Sequence, residues 1–287
     1  DSELSQLCRT VGRPVAVSPL LYQPLRFAFA LADATDGAFD PTVGATVHGL
    51  GFDRDWRTGL TTPRITPTVG ANWQTIDLGA DGRYVTLHAP VDLDLGAVAK
   101  GFALDLAAAE LRGFPGYCIE AGGDLRVHGV NREGQPWRIG VQHPRREGAQ
   151  ATVLTVSHGA VCTSGDYERQ TPDGAGHHLL DARSGRPAMG LASVTVLAPT
   201  AMAAAPAMAF ITVLGKSMGE SPTTPRARNP VAKSMLDRKS PCSVPSTMAT
   251  PVGSAMPASS RASRHAATVS RPIRDSRRAE SGSSSGV

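Results

Sequence analysis

Apolar residues first recur at helical spacing between residues 22 and 34, where Leu25, Ala28, Phe29 and Ala32 fall on one face. Pro24 is tolerated in a first turn, and Asp36-Gly37 supplies a stop. Residues 41–73 are rich in Gly and Thr and carry no such period, which predicts a loop with little regular structure. Strand-like runs follow at residues 84–88 and, after Pro90, at 91–95. The strongest helical pattern spans residues 98–111. There Val98, Phe102, Leu106 and Ala109 share a face, and Gly113 follows as a terminator.

Further strands are predicted at 117–120, 125–128, 137–142, 152–157 and 193–198, separated by Gly-rich or polar turns such as Asn131-Arg132-Glu133-Gly134. Few of the gaps between them can hold a crossover helix, so antiparallel pairing is expected. The apolar residues 201–214 predict a buried helix that Pro206 interrupts. Together these elements predict an α+β fold of mostly antiparallel sheet with flanking helices.

Composition changes this picture at one end. Beyond Gly215 there are 16 serines, no Phe, Trp or Tyr, and few branched aliphatics, so residues 216–287 are predicted to be disordered. That segment holds 12 Lys and Arg against 4 Asp and Glu, which leaves 17 against 21 in residues 1–215. The basic character of the chain therefore belongs to the tail, and gives no ground for a nucleic-acid surface on the domain. The tail has no aromatic residues to stack bases, and no nucleic-acid partner is expected. It reads either as a genuine basic tail or as the product of a frame change, since it begins inside an apolar element. Cys8, Cys118, Cys162 and Cys242 show neither CxxC nor Cys/His metal spacing. No apolar run reaches the ~18 residues of a membrane span. The chain opens on Asp1, and any signal peptide is expected upstream of it.

Five segments concentrate chemistry-bearing residues. The turn Gly37-Ala38-Phe39-Asp40-Pro41-Thr42-Val43-Gly44 offers a carboxylate, a hydroxyl and backbone amides, although Asp40 could simply cap the turn. In Asp94-Leu95-Gly96-Ala97-Val98-Ala99-Lys100-Gly101 a strand-like run enters the best helix, whose N-terminus suits a phosphate. Its spacing is neither a P-loop nor GxGxxG, and a capping carboxylate beside a solvated lysine would also explain it. Glu120-Ala121-Gly122-Gly123-Asp124-Leu125-Arg126 and Cys162-Thr163-Ser164-Gly165-Asp166-Tyr167 follow. The fifth segment runs from His177 to Pro187 and includes Leu180, Asp181, Arg183 and Arg186. Adjacent His177 and His178 would point to opposite faces of a strand, so both cannot ligate one metal. One of them could serve as a general base.

In order and spacing, GAFDPTVG, DLGAVAKG, EAGGDLRVHG, CTSGDYER, HHLLDARSGRPA and SVTVLAPTAM resemble the FAD:protein FMN transferase family, the ApbE family, over residues 1–215. The resemblance implies a phosphoryl transfer in which FMN leaves FAD for a threonine or serine hydroxyl of a target flavoprotein and AMP is released. It implies FAD contacts at Ala38, Phe39, Asp40, Asp94, Lys100 and Leu180, with His178 as base toward the target hydroxyl. It implies Mg²⁺ held in part by the backbone carbonyl of Ala97. It also implies a bacterial periplasmic setting, with membrane attachment only through a lipid anchor on a missing N-terminal segment.

The chain departs from the family pattern after Thr200-Ala201-Met202. Where an aspartate and a threonine are expected as further Mg²⁺ ligands, Ala205 and Ala209 stand, and a register shift by one offers only Met208. None of these side chains supplies oxygen to a hard cation. Low or no transferase activity is therefore expected. A non-catalytic flavin-binding protein is the competing expectation, and an FAD pyrophosphatase using water as acceptor is a third.

Overall fold

The computed structural model describes residues 2–55 and 57–206. Ala209, Met208, the second half of the helix predicted over 201–214 and the tail predicted over 216–287 lie outside the described residues.

The chain begins with α1 (Glu3–Cys8), whose N-cap Ser2 receives the Ser5 amide. Glu3 accepts the Ser18 hydroxyl at 2.6 Å, and Ser18 is itself the N-cap of α2 (Pro19–Ala34). One carboxylate thus fixes the start of the second helix against the first. Helix α2 begins earlier than the apolar period predicts because Ser18 and Pro19 are a ready-made N-cap and N1 pair. Pro24 consequently lies inside the helix, buried on the predicted face with Leu21, Leu25, Ala28, Phe29 and Ala32. Left-handed Asp36 (φ 51°) and Gly37 (φ 72°) end it, with the Gly37 amide returned to the Ala32 carbonyl.

The same face of α2 packs on a small antiparallel sheet of β1 (Pro14–Ala16), β2 (Ile76–Leu78) and β3 (Tyr84–Leu87), ordered β1-β3-β2. The loop predicted over 41–73 is mostly irregular but contains a short helix, α3 (Gly44–Gly49). The strand predicted over 91–95 does not form. Val91, Leu93 and Leu95 are buried in extended chain, and the only bridge there joins Asp92 to Val43. Alternating apolar and acidic residue types alone gave the strand pattern, and Asp92 is buried beside its apolar neighbours.

The second layer is a four-stranded sheet of β4 (Tyr117–Ala121), β5 (Asp124–His128), β8 (His158–Gly165) and β11 (Ser193–Ala198), antiparallel throughout in the order β11-β8-β5-β4. Helix α4 (Gly96–Glu110) and the four-residue α5 (Ala201–Ala204) share an apolar cluster with it, built on Leu104, Ala160, Cys162, Ala201 and Ala204. The ribbon β6 (Trp137–Gln142) and β7 (Gln150–Val156) closes the opposite side through Val127, Ile139, Val156 and Val161. The short pair β9 (Leu180–Asp181) and β10 (Arg186–Pro187) carries the fifth segment. The α+β architecture and the antiparallel pairing agree with expectation. Strand β8, paired to both β5 and β11, was not foreseen because its buried run from Gly159 to Cys162 leaves no alternation to read.

Candidate functional site

Backbone hydrogen bonds and ion pairs join the chemistry-bearing segments one to the next. The Asp94 amide donates to the Pro41 carbonyl (2.8 Å) and the Gly44 amide to the Asp92 carbonyl (3.0 Å), which ties the first turn to the start of α4. Gly44 is required there, because a Cβ would lie 2.6 Å from the Asp92 carbonyl oxygen. The Ala182 amide donates to the Ala38 carbonyl (3.2 Å), which brings the fifth segment to the first. Lys100 on α4 reaches Asp124 Oδ2 at 2.8 Å and the Gly122 carbonyl at 3.2 Å. Asp124 in turn receives the Thr163 amide at 3.3 Å. Asp105, also on α4, accepts the Ala201 and Met202 amides (2.9 and 2.8 Å) and so holds the N-terminus of α5.

Individual side chains have distinct duties within this network. The Asp40 carboxylate receives the Thr42 amide (2.9 Å) and hydroxyl (2.8 Å), so it caps its own turn; burial raises its pKa, against the opposing pull of those hydrogen bonds. Ala38 is buried, and Phe39 packs at the edge of the α2 core. The Asp94 carboxylate accepts the Gly96 amide at 2.6 Å, while Leu95 rather than Asp94 is the residue at the N-cap of α4. An ammonium has three donors, and Lys100 uses two inside the protein, which leaves one for a ligand. Behind Asp94, His48 Nδ1 and Asp92 Oδ2 lie 3.2 Å apart, yet neither atom has a hydrogen-bond partner of acceptable geometry. The contact is therefore electrostatic. Burial raises the pKa of Asp92, and His48 opposes this.

His178 is set outside any strand, and so is His177, so the opposite-faces argument for the pair has no strand to act on. His177 is buried and bridges to Gln170. The ring of His178 lies 3.3 Å through Nδ1 from the Arg169 carbonyl, which also receives the His178 amide at 3.1 Å. A carbonyl can only accept, so Nδ1 carries the proton and Nε2 presents its lone pair. Phe52 meets the imidazole edge-on at 6.2 Å, and the Arg169 guanidinium covers Phe52 at 5.1 Å. Desolvation lowers the His178 pKa to about 4, with the Arg169 carbonyl and Asp94 pulling it upward. The imidazole is thus neutral at neutral pH.

Residues 1–224 match the profile of the ApbE family. The chain belongs to the ApbE family. Among its relatives, the FAD:protein FMN transferase of Haemophilus influenzae is 33% identical over 236 residues, covering 75% of this chain and 67% of the relative. That of Vibrio cholerae is 32% identical over 237 residues, covering 76% and 68%. The crystal structure of the ApbE protein of Thermotoga maritima superposes with a TM-score of 0.66 at 34% identity, over 76% of this chain and 73% of that one. The flavin transferase ApbE of Vibrio cholerae superposes at 0.61 and 31% identity, over 75% and 70%.

The ApbE resemblance implies Mg²⁺, and the described residues do not fit it. Ala97 stands in the first turn of α4, where its carbonyl can offer one oxygen. Ala205 turns a methyl group onto the apolar cluster around Leu104 and Cys162. Among the described residues, no group of three His, Cys, Asp or Glu could hold a metal. Sequence reasoning gave Phe52 and Asp105 no part in the site. Asp105 follows Lys100 by five residues on α4, and nothing local marks it as the anchor of a segment 96 residues away. Phe52 follows a Gly in a stretch with no period, which left no signal at all.

Proposed function

We propose that this chain acts as an FAD:protein FMN transferase of the ApbE family, with FAD as donor and a threonine or serine hydroxyl of a protein as acceptor. The observation that carries the reading is the union of the family's segments into one hydrogen-bonded site with a neutral His178 at its edge. In this reaction the acceptor oxygen bonds to the FMN phosphorus, the bond to the AMP oxygen breaks, and the acceptor proton leaves to a base. His178 Nε2 is that base, since Nδ1 is committed to the Arg169 carbonyl. Lys100 turns its remaining donor to the pyrophosphate, and the amides opening α4 add a favourable local dipole. Ala38, Phe39 and Leu180 flank the flavin through backbone and apolar surface.

Transfer by this chain is impaired. Mg²⁺ would neutralise the pyrophosphate, and a methyl group facing an apolar cluster at residue 205 supports the view that its cage is incomplete. The same feature favours a second reading, in which the chain binds flavin without transferring it.

The test is mass spectrometry of an acceptor domain incubated with the full chain, FAD and MgCl₂, beside FAD binding followed by flavin fluorescence. Binding without transfer, with Mg²⁺-dependent transfer gained by A205D/A209T, is the expected result. A Mg²⁺-dependent mass gain of one FMN with the unaltered chain would overturn the impairment. Binding with no transfer by either protein would leave the flavin-binding reading standing, and no binding at all would overturn both.

A further inference from the structure

At one end of the four-stranded sheet, three rings stand side by side on one face. Tyr117 of β4 is paired in register with His128 of β5, and His128 with His158 of β8. Cross-strand partners lie on the same face of a sheet. Tyr117 and His128 stack with centroids 5.4 Å apart and planes 19° apart. His128 and His158 meet at 4.6 Å and 63°, with their Nδ1 atoms 3.1 Å apart. Trp137 Nε1 donates to the His128 carbonyl at 3.0 Å and ties this strand end to β6. The two imidazoles line an open cleft of about 380 Å³ with Arg126, Gly159, Leu197, Ala198 and Pro199. None of these residues has a part in the flavin chemistry above.

Two imidazole nitrogens at this separation suit a borderline transition metal. With metal–nitrogen bonds of about 2.0–2.1 Å, ligands at a right angle stand about 2.9 Å apart and tetrahedral ones about 3.3 Å. The observed 3.1 Å lies between the two and admits either geometry, so the affinity order of nitrogen sites decides, and it puts Cu²⁺ first. Mg²⁺ seeks oxygen and is excluded by the same pair. The site is largely prepared: the strand register fixes both Cα positions, and the Tyr117 ring fixes one imidazole plane. The nearest cation does not oppose a metal strongly, because Arg126 faces Asp105 at 3.3 Å and spends Nη1 on the Val127 and Gly159 carbonyls. In the metal-free chain a proton bridges the nitrogens. The Gly129 amide points at His158 Nδ1 from 3.5 Å, so His158 accepts and His128 donates.

We propose that His128 and His158 form a two-nitrogen surface site for a borderline divalent transition metal, Cu²⁺ first and Ni²⁺ next, with water filling the other positions. On binding, the His128 proton moves from Nδ1 to Nε2 through solvent, so the ring stays neutral and its Nδ1 takes up the metal after a small rotation that turns both lone pairs to one point.

The experiment titrates the full chain with CuSO₄ at neutral pH by calorimetry and records electron paramagnetic resonance at one equivalent. The expected result is a site with two-nitrogen hyperfine structure that weakens at least tenfold in H128A and in H158A and is missing from the double variant. H128N/H158N, with polar side chains of similar reach, guards against a folding defect, and FAD binding should be unchanged in all of them. Copper affinity and spectrum that persist in the double variants would overturn the proposal, as would a single-nitrogen signal in the unaltered chain.

Discussion

The ammonium of Lys100 lies 2.8 Å from Asp124 Oδ2, and while the lysine is about half exposed, the carboxylate side chain retains only 4% of its accessible surface. A charge on the rim thus serves one that solvent barely reaches. K100M should cost about 2 kcal/mol in urea unfolding, because the carboxylate then lacks its cation. K100M/D124N should recover most of that loss. Additive losses in the double variant would show that the pair is not coupled.

Gly101 tells how closely α4 and α5 approach. A Cβ there would fall 2.3 Å from the Ala201 carbonyl oxygen and 2.8 Å from the Met202 Cα. G101A should therefore force the two helices apart and cost about 3 kcal/mol, despite alanine's better helix propensity. A thermal melt unchanged or raised by the substitution would contradict the close approach.

Asp92 offers a pH test. Its pKa is raised by burial, so its contribution to stability is fully present below the unfolded value of 3.8 and is lost as pH rises through the folded value. D92N removes that loss and gives His48 Nδ1 an amide partner, which should raise stability at pH 7 by about 1 kcal/mol. At pH 3 the two proteins should unfold at the same urea concentration. A D92N protein that is weaker at pH 7 would reverse the sign of the argument.

His178 has the opposite dependence. Its folded pKa of about 4 lies below the ordinary histidine value of 6.5, so its contribution is present above 6.5 and lost as pH falls through about 4. Partial solvent access limits the effect to about 1–2 kcal/mol. H178Q should lose correspondingly less stability than the unaltered chain between pH 7 and pH 4, and histidine NMR should find a ring that stays neutral at pH 5.5 with its proton on Nδ1. A ring protonated at pH 5.5 would show that the pocket is open to water.

Much of the fold was legible because burial is periodic where one face meets the core. The strands at 137–142 and 193–198 emerge at their predicted boundaries, and α4 lies within two residues of its predicted span. Its buried face, however, is Val98, Gly101, Leu104 and Ala108 rather than the predicted Val98, Phe102, Leu106 and Ala109, because Gly101 gives the close approach to α5 that a longer side chain would block. What was hidden depends on partners distant in sequence. Buried β8 has no polar face to mark its period, and α3 is a single short helix held by the bridge between Val43 and Asp92. For the site, the segments themselves were visible, including Asp94, Lys100 and His178. Their connections were not, because a backbone carbonyl such as that of Arg169 or Ala38 carries no trace in the side-chain sequence. Asp40 shows the reverse case: a residue of chemical promise whose carboxylate is already occupied by Thr42.

Trp73 crosses the rear of the first turn, donating from Nε1 to Asp33 at 2.6 Å, and its ring covers Gly37 so closely that a Cβ there would fall 2.8 Å from it. Immediately after Gly37, Ala38, Phe39 and Asp40 begin the stretch proposed to meet the flavin. An indole emits where an isoalloxazine absorbs, so a dinucleotide settling on this turn would drain light from Trp73 by resonance transfer. The distant Trp137, braced against the His128 carbonyl, would respond instead to copper in the imidazole cleft. The fold thereby carries an indole beside each of the two proposed ligand sites, and occupancy of either would be read without attaching a dye.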